Sequence, residues 1–336
     1  MKALLLNAYS LISAPVCARK AAAFAKGRKK AFLAPLPVIS VGNLALGGTG
    51  KTPVAAELIG RFLDRGYHPA LVTRGYGGVW EKIGGVLSDG RSIFGGVREA
   101  GDEPVWFARR FPAAGVFVGR DRVLSCLKAE ALGFDLCLLD DGFQHLRLAR
   151  DLDIVLHHPS AGLPLREGER ALSRAHILLL PRESAGKAAE HFRRRFPRLD
   201  VFEYEVVAGN IEGRPSEPVL PLSFLQGRRI LAFAGIARPG RFFDLLESAG
   251  ASLVGRLIFP DHYPYPQAGI SRVVSAVVRL EPDLVLTTEK DAVKWRPKDR
   301  TIAGRPLHVL RIGIDLPETF FERVWAALPA VKAGRV

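Results

Sequence analysis

Cysteine is scarce in this 336-residue chain. Cys17, Cys126 and Cys137 lie far apart, and no Cys-x-x-Cys pair occurs. That excludes a disulfide framework and a cysteine zinc site, and it suits a reducing compartment. Long apolar runs are also missing. No stretch of about 18 apolar residues exists, so no transmembrane span is expected. No long repeat and no low-complexity tract is present. With 48% apolar residues the chain is globular, and it is long enough for two domains with cores of their own.

Acid is missing from the beginning: no Asp or Glu precedes Glu57. Residues 1–37 carry Lys2, Arg19, Lys20, Lys26, Arg28, Lys29 and Lys30, half of the net charge of +14. Leu4, Ala8, Leu11 and Ile12 fall at helical spacing beside these cations. A basic amphipathic N-terminal helix lying on anionic lipid is the expectation. A signal peptide fits less well, because Asn7, Ser10 and Ser13 break the apolar stretch and the basic cluster follows it. A nucleic-acid arm would show polar or aromatic interleaving, of which there is little, so no nucleic-acid partner is expected. An ordinary packed helix is the remaining alternative.

Residues 37–53 read PVISVGNLALGGTGKTP. A short apolar run enters a glycine-rich loop, and the loop opens through Gly50-Lys51-Thr52 into a helical pattern. This is the order strand, phosphate loop, helix. Gly47, Gly48, Thr49 and Gly50 let backbone N–H groups converge on phosphate oxygens at a helix N-terminus. Lys51 would reach the β- and γ-phosphates, and the Thr52 hydroxyl would ligate Mg²⁺. The implied co-substrate is a nucleoside triphosphate. The strict pattern has glycine at position 45, where this chain has Ala45.

Strand and helix patterns alternate after the loop. Strands are expected at 68–73, 115–119, 134–141, 153–158, 176–181 and 201–207, with helices at 102–111 and 120–133. Residues 84–101 read as a long surface loop. A Gly/Pro-rich stretch near 208–227 reads as a linker, and a second βαβαβ set begins at 228. The expected fold class is α/β: a P-loop NTPase-type, doubly wound, mostly parallel sheet with a second, smaller α/β domain. The expected division is 1–37 for the membrane-associating segment, 38–207 for the P-loop domain, 208–227 for the linker and 228–336 for the smaller domain.

Several side chains carry candidate chemistry. LCLLDDG (136–142) places Asp140 and Asp141 at the end of a buried strand, where an open α/β sheet binds ligands. Adjacent carboxylates repel unless a cation is near, so they read as a magnesium site; the alternative is an Asp-Gly turn. Asp102, in Gly-Asp-Glu-Pro, reads as a helix N-cap that can also face a phosphate site. His145 follows the acidic pair, while His157 and His158 close a strand. His262 lies in a proline-rich loop, where an exposed side chain is the plain reading. Glu167 stands alone after Arg166. Glu289 and Lys290 end a strand of the second unit, either solvated or in contact with nucleotide.

Together these segments resemble the tetraacyldisaccharide 4′-kinase family of lipid A biosynthesis. The resemblance rests on VGNLALGGTGKTP, TRGYGG, GDEP, LLDDGFQH, LRE at 165–167, FPDHY and TTEKDAVKW, in that order between residues 41 and 295. That family's loop does not need glycine at the position of Ala45. The resemblance implies ATP-dependent phosphorylation of the 4′-hydroxyl of a tetraacylated glucosamine disaccharide 1-phosphate, with Mg²⁺. It implies Asp102 as the base that accepts the hydroxyl proton, paired with His262, and Lys51 and Thr52 on the phosphates and metal. Asp140, Asp141 and Glu167 become the metal-site acids, with Glu103 and Gln144 secondary. Glu289 and Lys290 contact nucleotide or close the cleft. The lipid A disaccharide precursor and the anionic inner-membrane surface are the expected partners, with no obligate protein partner evident. The expected location is peripheral, on the cytoplasmic face of the bacterial inner membrane. The rival class is a membrane-associated P-loop NTPase acting as a switch or assembly factor. It would need no acceptor-activating pair, and the NKxD segment that guanine specificity would require is absent.

Overall fold

A computed structural model describes residues 15–45, 50–159, 164–213, 218–295 and 301–329. The chain forms two compact units: Met1–Glu205 with Ile314–Val336, and Val206–Gly313. Residues 15–25 are helical. The apolar spacing at Leu4, Ala8, Leu11 and Ile12 lies outside the described residues. Among the described residues, no helix is long and apolar enough to cross a membrane.

The first unit contains β1 (Val38–Asn43), β2 (Pro69–Thr73), β3 (Gly85–Asp89), β4 (Gly115–Val118), β5 (Leu136–Asp140), β6 (Leu152–Leu156), β7 (Ile177–Pro181) and the start of β8 (Asp200–Glu212). Their order is β8-β7-β6-β1-β5-β2-β4-β3. Neighbours are parallel except β3, which runs antiparallel to β4 at the edge. β1, β5, β6 and β7 are buried along their whole length, which explains their continuous apolar runs. β1 lies between β5 and β6, and its Val41 stands level with Asp140. The end of β1 and the acidic end of β5 therefore lie at the same edge of the sheet.

Helix Lys51–Asp64 covers the sheet with Val54, Ala55, Leu58, Ile59 and Phe62, one apolar stripe at helical spacing. The final helix, Glu318–Trp325, returns to pack against it. Trp325 meets Phe62 edge-on at 5.5 Å, and the Arg61 guanidinium lies 4.3 Å from the Phe321 ring centre. These contacts explain why residues after 313 belong to the first unit, whereas the sequence pattern assigns 228–336 to the second.

The second unit adds β9 (Arg229–Ala234), β10 (Ser252–Ile258), β11 (Leu284–Thr288), β12 (Thr301–Ile302) and β13 (Arg305–Asp315). β10-β9-β11-β13 form a parallel sheet, and β12 pairs antiparallel with β13. Alternation along β9 builds two cores. Ile230, Ala232 and Ala234 meet Phe242, Phe243 and Leu246 of helix Pro239–Ser248. Leu231 and Phe233 meet Val273, Ala276 and Val277 of helix Gln267–Leu280.

Two stretches expected to be irregular contain regular structure. β3 and a turn of helix at Val97–Ala100 lie within 84–101. The expected linker opens as the end of β8, and Ile211 exchanges backbone hydrogen bonds with Leu220. The division between units falls at 205/206, ahead of the Gly/Pro-rich stretch. Backbone pairing there overrides the local turn composition.

Candidate active site

The helix of the phosphate loop starts at Lys51, capped by Gly50 at φ 90°, a left-handed conformation that glycine adopts without a Cβ penalty. Gly47, Gly48 and Thr49 lie outside the described residues. Ala45 is buried, takes no left-handed φ and bridges to Leu165, so a methyl group is accommodated at that position.

Asp141 follows β5 with φ 56°, a sparsely populated conformation for a residue with a side chain. Its carboxylate accepts from Lys51 Nζ at 3.1 Å and Arg166 Nη1 at 2.7 Å. Burial favours the neutral acid, but the Lys51 ammonium and Arg166 guanidinium outweigh it and hold the carboxyl well below the usual carboxylate range. Asp140 is buried and accepts from the Thr73 hydroxyl at 3.3 Å. Glu167 is buried and accepts from Arg174 Nη2 at 2.8 Å. Gln144 turns back to the end of β1, donating from Nε2 to the Asn43 carbonyl at 3.0 Å.

Helix Asp102–Arg110 begins at Asp102 itself. Gly101, at φ 90°, occupies the cap position expected for Asp102. Asp102 is buried and its Oδ1 accepts from the Glu103 N–H at 3.0 Å. The Thr52 hydroxyl donates to Glu103 Oε1 at 3.2 Å, which brings this first turn to the start of the phosphate-loop helix. The TRGYGG segment fixes the arrangement. A Cβ on Gly75 would lie 2.6 Å from the Ala100 carbonyl oxygen, and one on Gly78 would lie 2.5 Å from that of Glu99. The glycines thus permit backbone-to-backbone packing behind Asp102. Arg74 and Arg120 both donate to Glu81, at 2.8 and 2.9 Å.

The structure thus brings together Lys51, Thr52, Asp102, Glu103, Asp140 and Asp141, with Glu167 one residue from the Arg166 that holds Asp141. The second unit holds the remaining candidates. His262 is exposed, with φ 59°, and its N–H donates to the Gly235 carbonyl at 3.1 Å. Gly235 N–H donates to Asp291 at 2.9 Å, and Asp291 also accepts from Thr288 and Lys294. Glu289 Oε2 accepts from the Ile312 N–H at 3.0 Å, a contact that ties the last strand to the TTEKD turn.

Residue-by-residue reading missed Arg166 and Arg122. Arg166 was visible only as the neighbour of Glu167. Arg122 is buried, and burial pushes its guanidinium down while Asp141 and Asp140 pull it up. Nothing in its sequence context marks it. His145 is driven down to about 4, by burial first and then by Arg122.

The donors at the helix start and strand end are oxygens: the Thr52 hydroxyl and the Glu103 and Asp140 carboxylates. That set fits Mg²⁺, which is commonly held by one or two carboxylates and completed by phosphate oxygens. Among the described residues, no cluster of three His, Cys, Asp or Glu stands ready to hold a metal unaided. Asp141 is engaged by Lys51 and Arg166, and Glu167 by Arg174.

A central parallel strand leading into a Gly-Lys-Thr helix start, with an acid ending the adjacent strand, defines a P-loop nucleotide-binding protein. The family model for tetraacyldisaccharide-1-P 4′-kinase matches residues 2–329, and the chain belongs to that family. A Pelobacter propionicus protein named tetraacyldisaccharide 4′-kinase is 38% identical over 314 residues, covering 90% of this chain and 86% of that one. One from Geobacter metallireducens is 42% identical over 271 residues, covering 78% and 79%. The crystal structure of LpxK from Aquifex aeolicus in complex with ATP aligns over 98% of this chain and 100% of that one, with a TM-score of 0.75 and 26% identity. Membership in a kinase family weighs against the switch or assembly-factor reading.

Proposed function

We propose that this enzyme transfers the γ-phosphoryl group of ATP to the 4′-hydroxyl of a tetraacylated glucosamine disaccharide 1-phosphate. The observation that carries the mechanism is the Thr52–Glu103 hydrogen bond, which joins the acid-bearing helix start to the phosphate-binding helix start. Asp102 accepts the hydroxyl proton as the sugar oxygen forms its bond to the γ-phosphorus. The bond from that phosphorus to the bridging oxygen breaks, and its electron pair leaves with ADP. Lys51 supplies positive charge to the transferring group, and Asp141 orients Lys51. Thr52 and Asp140, with Glu103 beside them, would hold Mg²⁺, which neutralises charge on the phosphates when bound.

His262 pairs with Asp102 in the catalytic state and keeps its carboxylate ionised and oriented. Glu289 and Lys290 meet the nucleotide from the second unit. The enzyme works at the cytoplasmic face of the bacterial inner membrane, where its lipid acceptor resides. Lys26, Arg28, Lys29 and Lys30 are all exposed in a segment without acid, and this supports contact with an anionic surface.

Labelled ATP incubated with the enzyme and the detergent-dispersed acceptor tests the reading. Label passes to the lipid fraction, and Lys51→Ala abolishes most of the transfer. Release of free phosphate without lipid labelling would point to an NTPase instead.

A further inference from the structure

The segment between Gly75 and Gly101 has an outer face that this mechanism does not use. It folds as the short helix Trp80–Ile83, strand β3 and a return through residues 93–96. The Trp80 ring closes it, lying so near Gly85 and Gly95 that a Cβ on either would come within 2.4 or 2.7 Å of the ring. Phe94 N–H donates to the Leu87 carbonyl at 2.8 Å, and Val79 N–H to that of Arg98 at 3.1 Å. These contacts gather Val79, Ile83, Ile93 and Phe94 at one edge of the first unit. All four are exposed, Ile83 at 70% and Phe94 at 58%.

The charges of the segment are sorted. Its acids are engaged with the protein: Glu81 with Arg74 and Arg120, Asp89 with the N–H groups of Arg91 and Ser92, Glu99 with that of Gly96. Lys82, Arg91 and Arg98 are exposed. With Arg74 and Arg120, which pair with Glu81, the edge carries five cations against three acids, so it combines large exposed apolar side chains with a modest positive balance. That combination matches the interface of an anionic bilayer, where apolar tips enter and cations meet lipid headgroups.

We infer that this edge is a membrane-docking surface additional to the N-terminal segment, with Ile83 and Phe94 entering an anionic lipid interface. The inference rests on the lipid-kinase reading and deepens it. The inner side of the same segment is the glycine packing against Ala100 and Gly101. Docking the outer side holds the start of the Asp102 helix close to the surface that carries the acceptor.

The test labels the full-length protein at one cysteine with an environment-sensitive fluorophore. Ile83→Cys carries the label in a Cys17→Ser background, since Cys126 and Cys137 are buried. Leu132→Cys, also exposed, serves as the control site. Vesicles of phosphatidylcholine with phosphatidylglycerol should shift the Ile83 label to the blue and leave the Leu132 label unmoved. Added salt should reduce the shift. Ile83→Ser with Phe94→Ser should weaken vesicle binding about tenfold without altering the melting temperature. An unmoved Ile83 label would overturn the inference, and so would an equal shift with pure phosphatidylcholine. A protein dimer that the Phe94→Ser change abolishes would assign the edge to a second copy and overturn it as well. Lipid phosphorylation by the same labelled protein separates the outcomes. Transfer with an unmoved label ends the docking inference alone, and absent transfer by the wild type ends the kinase reading.

Discussion

The packing of Gly78 behind Asp102 gives a perturbation with no chemistry of its own. Gly78→Ala adds one methyl group. Its Cβ would stand 2.5 Å from the Glu99 carbonyl oxygen and 2.7 Å from the Gly101 nitrogen. Ordinary contact begins at 3.4 Å, so the two backbone segments must part by roughly 1 Å. Residues 99–101 lead directly into Asp102, so the displacement is passed to the proposed base. A misplacement of that size costs about 10²-fold in kcat. ATP affinity should change far less, because Lys51 and the phosphate loop belong to other elements. Gly77→Ala is the control. Gly77 has φ 79° and open space around its Cβ position, so alanine there costs about 1 kcal/mol of backbone strain and does not push on Asp102. Steady-state kinetics at saturating lipid, nucleotide binding by titration and thermal melts on both variants make the comparison. Wild-type kcat in Gly78→Ala, or an equal loss in Gly77→Ala, would refute the argument that this packing positions Asp102.

Asp102→Ala should lower kcat by about 10²–10⁴-fold with ATP binding intact, and His262→Ala should do similar damage. The double variant should be little worse than the worse single, and additive kinetic losses would rule out a working pair. His145 provides a pH signature. Its folded pKa is depressed from 6.5 to about 4, so between those values the unfolded chain binds a proton that the native state refuses. Stability is therefore retained above pH 6.5 and declines as the pH falls towards 4. His157, also pushed down by burial, acts in the same direction. Urea midpoints across this window should show the decline and a shallower one in His145→Gln; an unaltered slope would count against it. Deleting residues 1–37 should move the protein from membrane to soluble fractions, at about 1 kcal/mol per cation lost from an anionic surface. Undiminished vesicle binding after deletion would place the contact elsewhere.

The phosphate-loop order, the acidic strand end and the alternation of strands with helices were all legible in the sequence. Each is a local pattern: glycine spacing, a buried apolar run, a change of period. The same holds for the cationic start of the chain, which is a matter of composition. Regular structure within 84–101 and at 208–212 was hidden, because backbone pairing with partners elsewhere in the chain outweighs turn-forming residues. The division of the chain was partly hidden too, since the return of Glu318–Trp325 to the first unit depends on an edge-on contact of Trp325 with Phe62 and on Arg61 lying over Phe321. Within the site, sequence named Asp141 as a carboxylate, but only the fold brings Lys51 and Arg166 to it. Arg122 was invisible for the same reason. Local chemistry along a chain declares which groups are available. Their charge states and partners come from side chains far apart in sequence, and burial makes those encounters strong enough to decide what each group does.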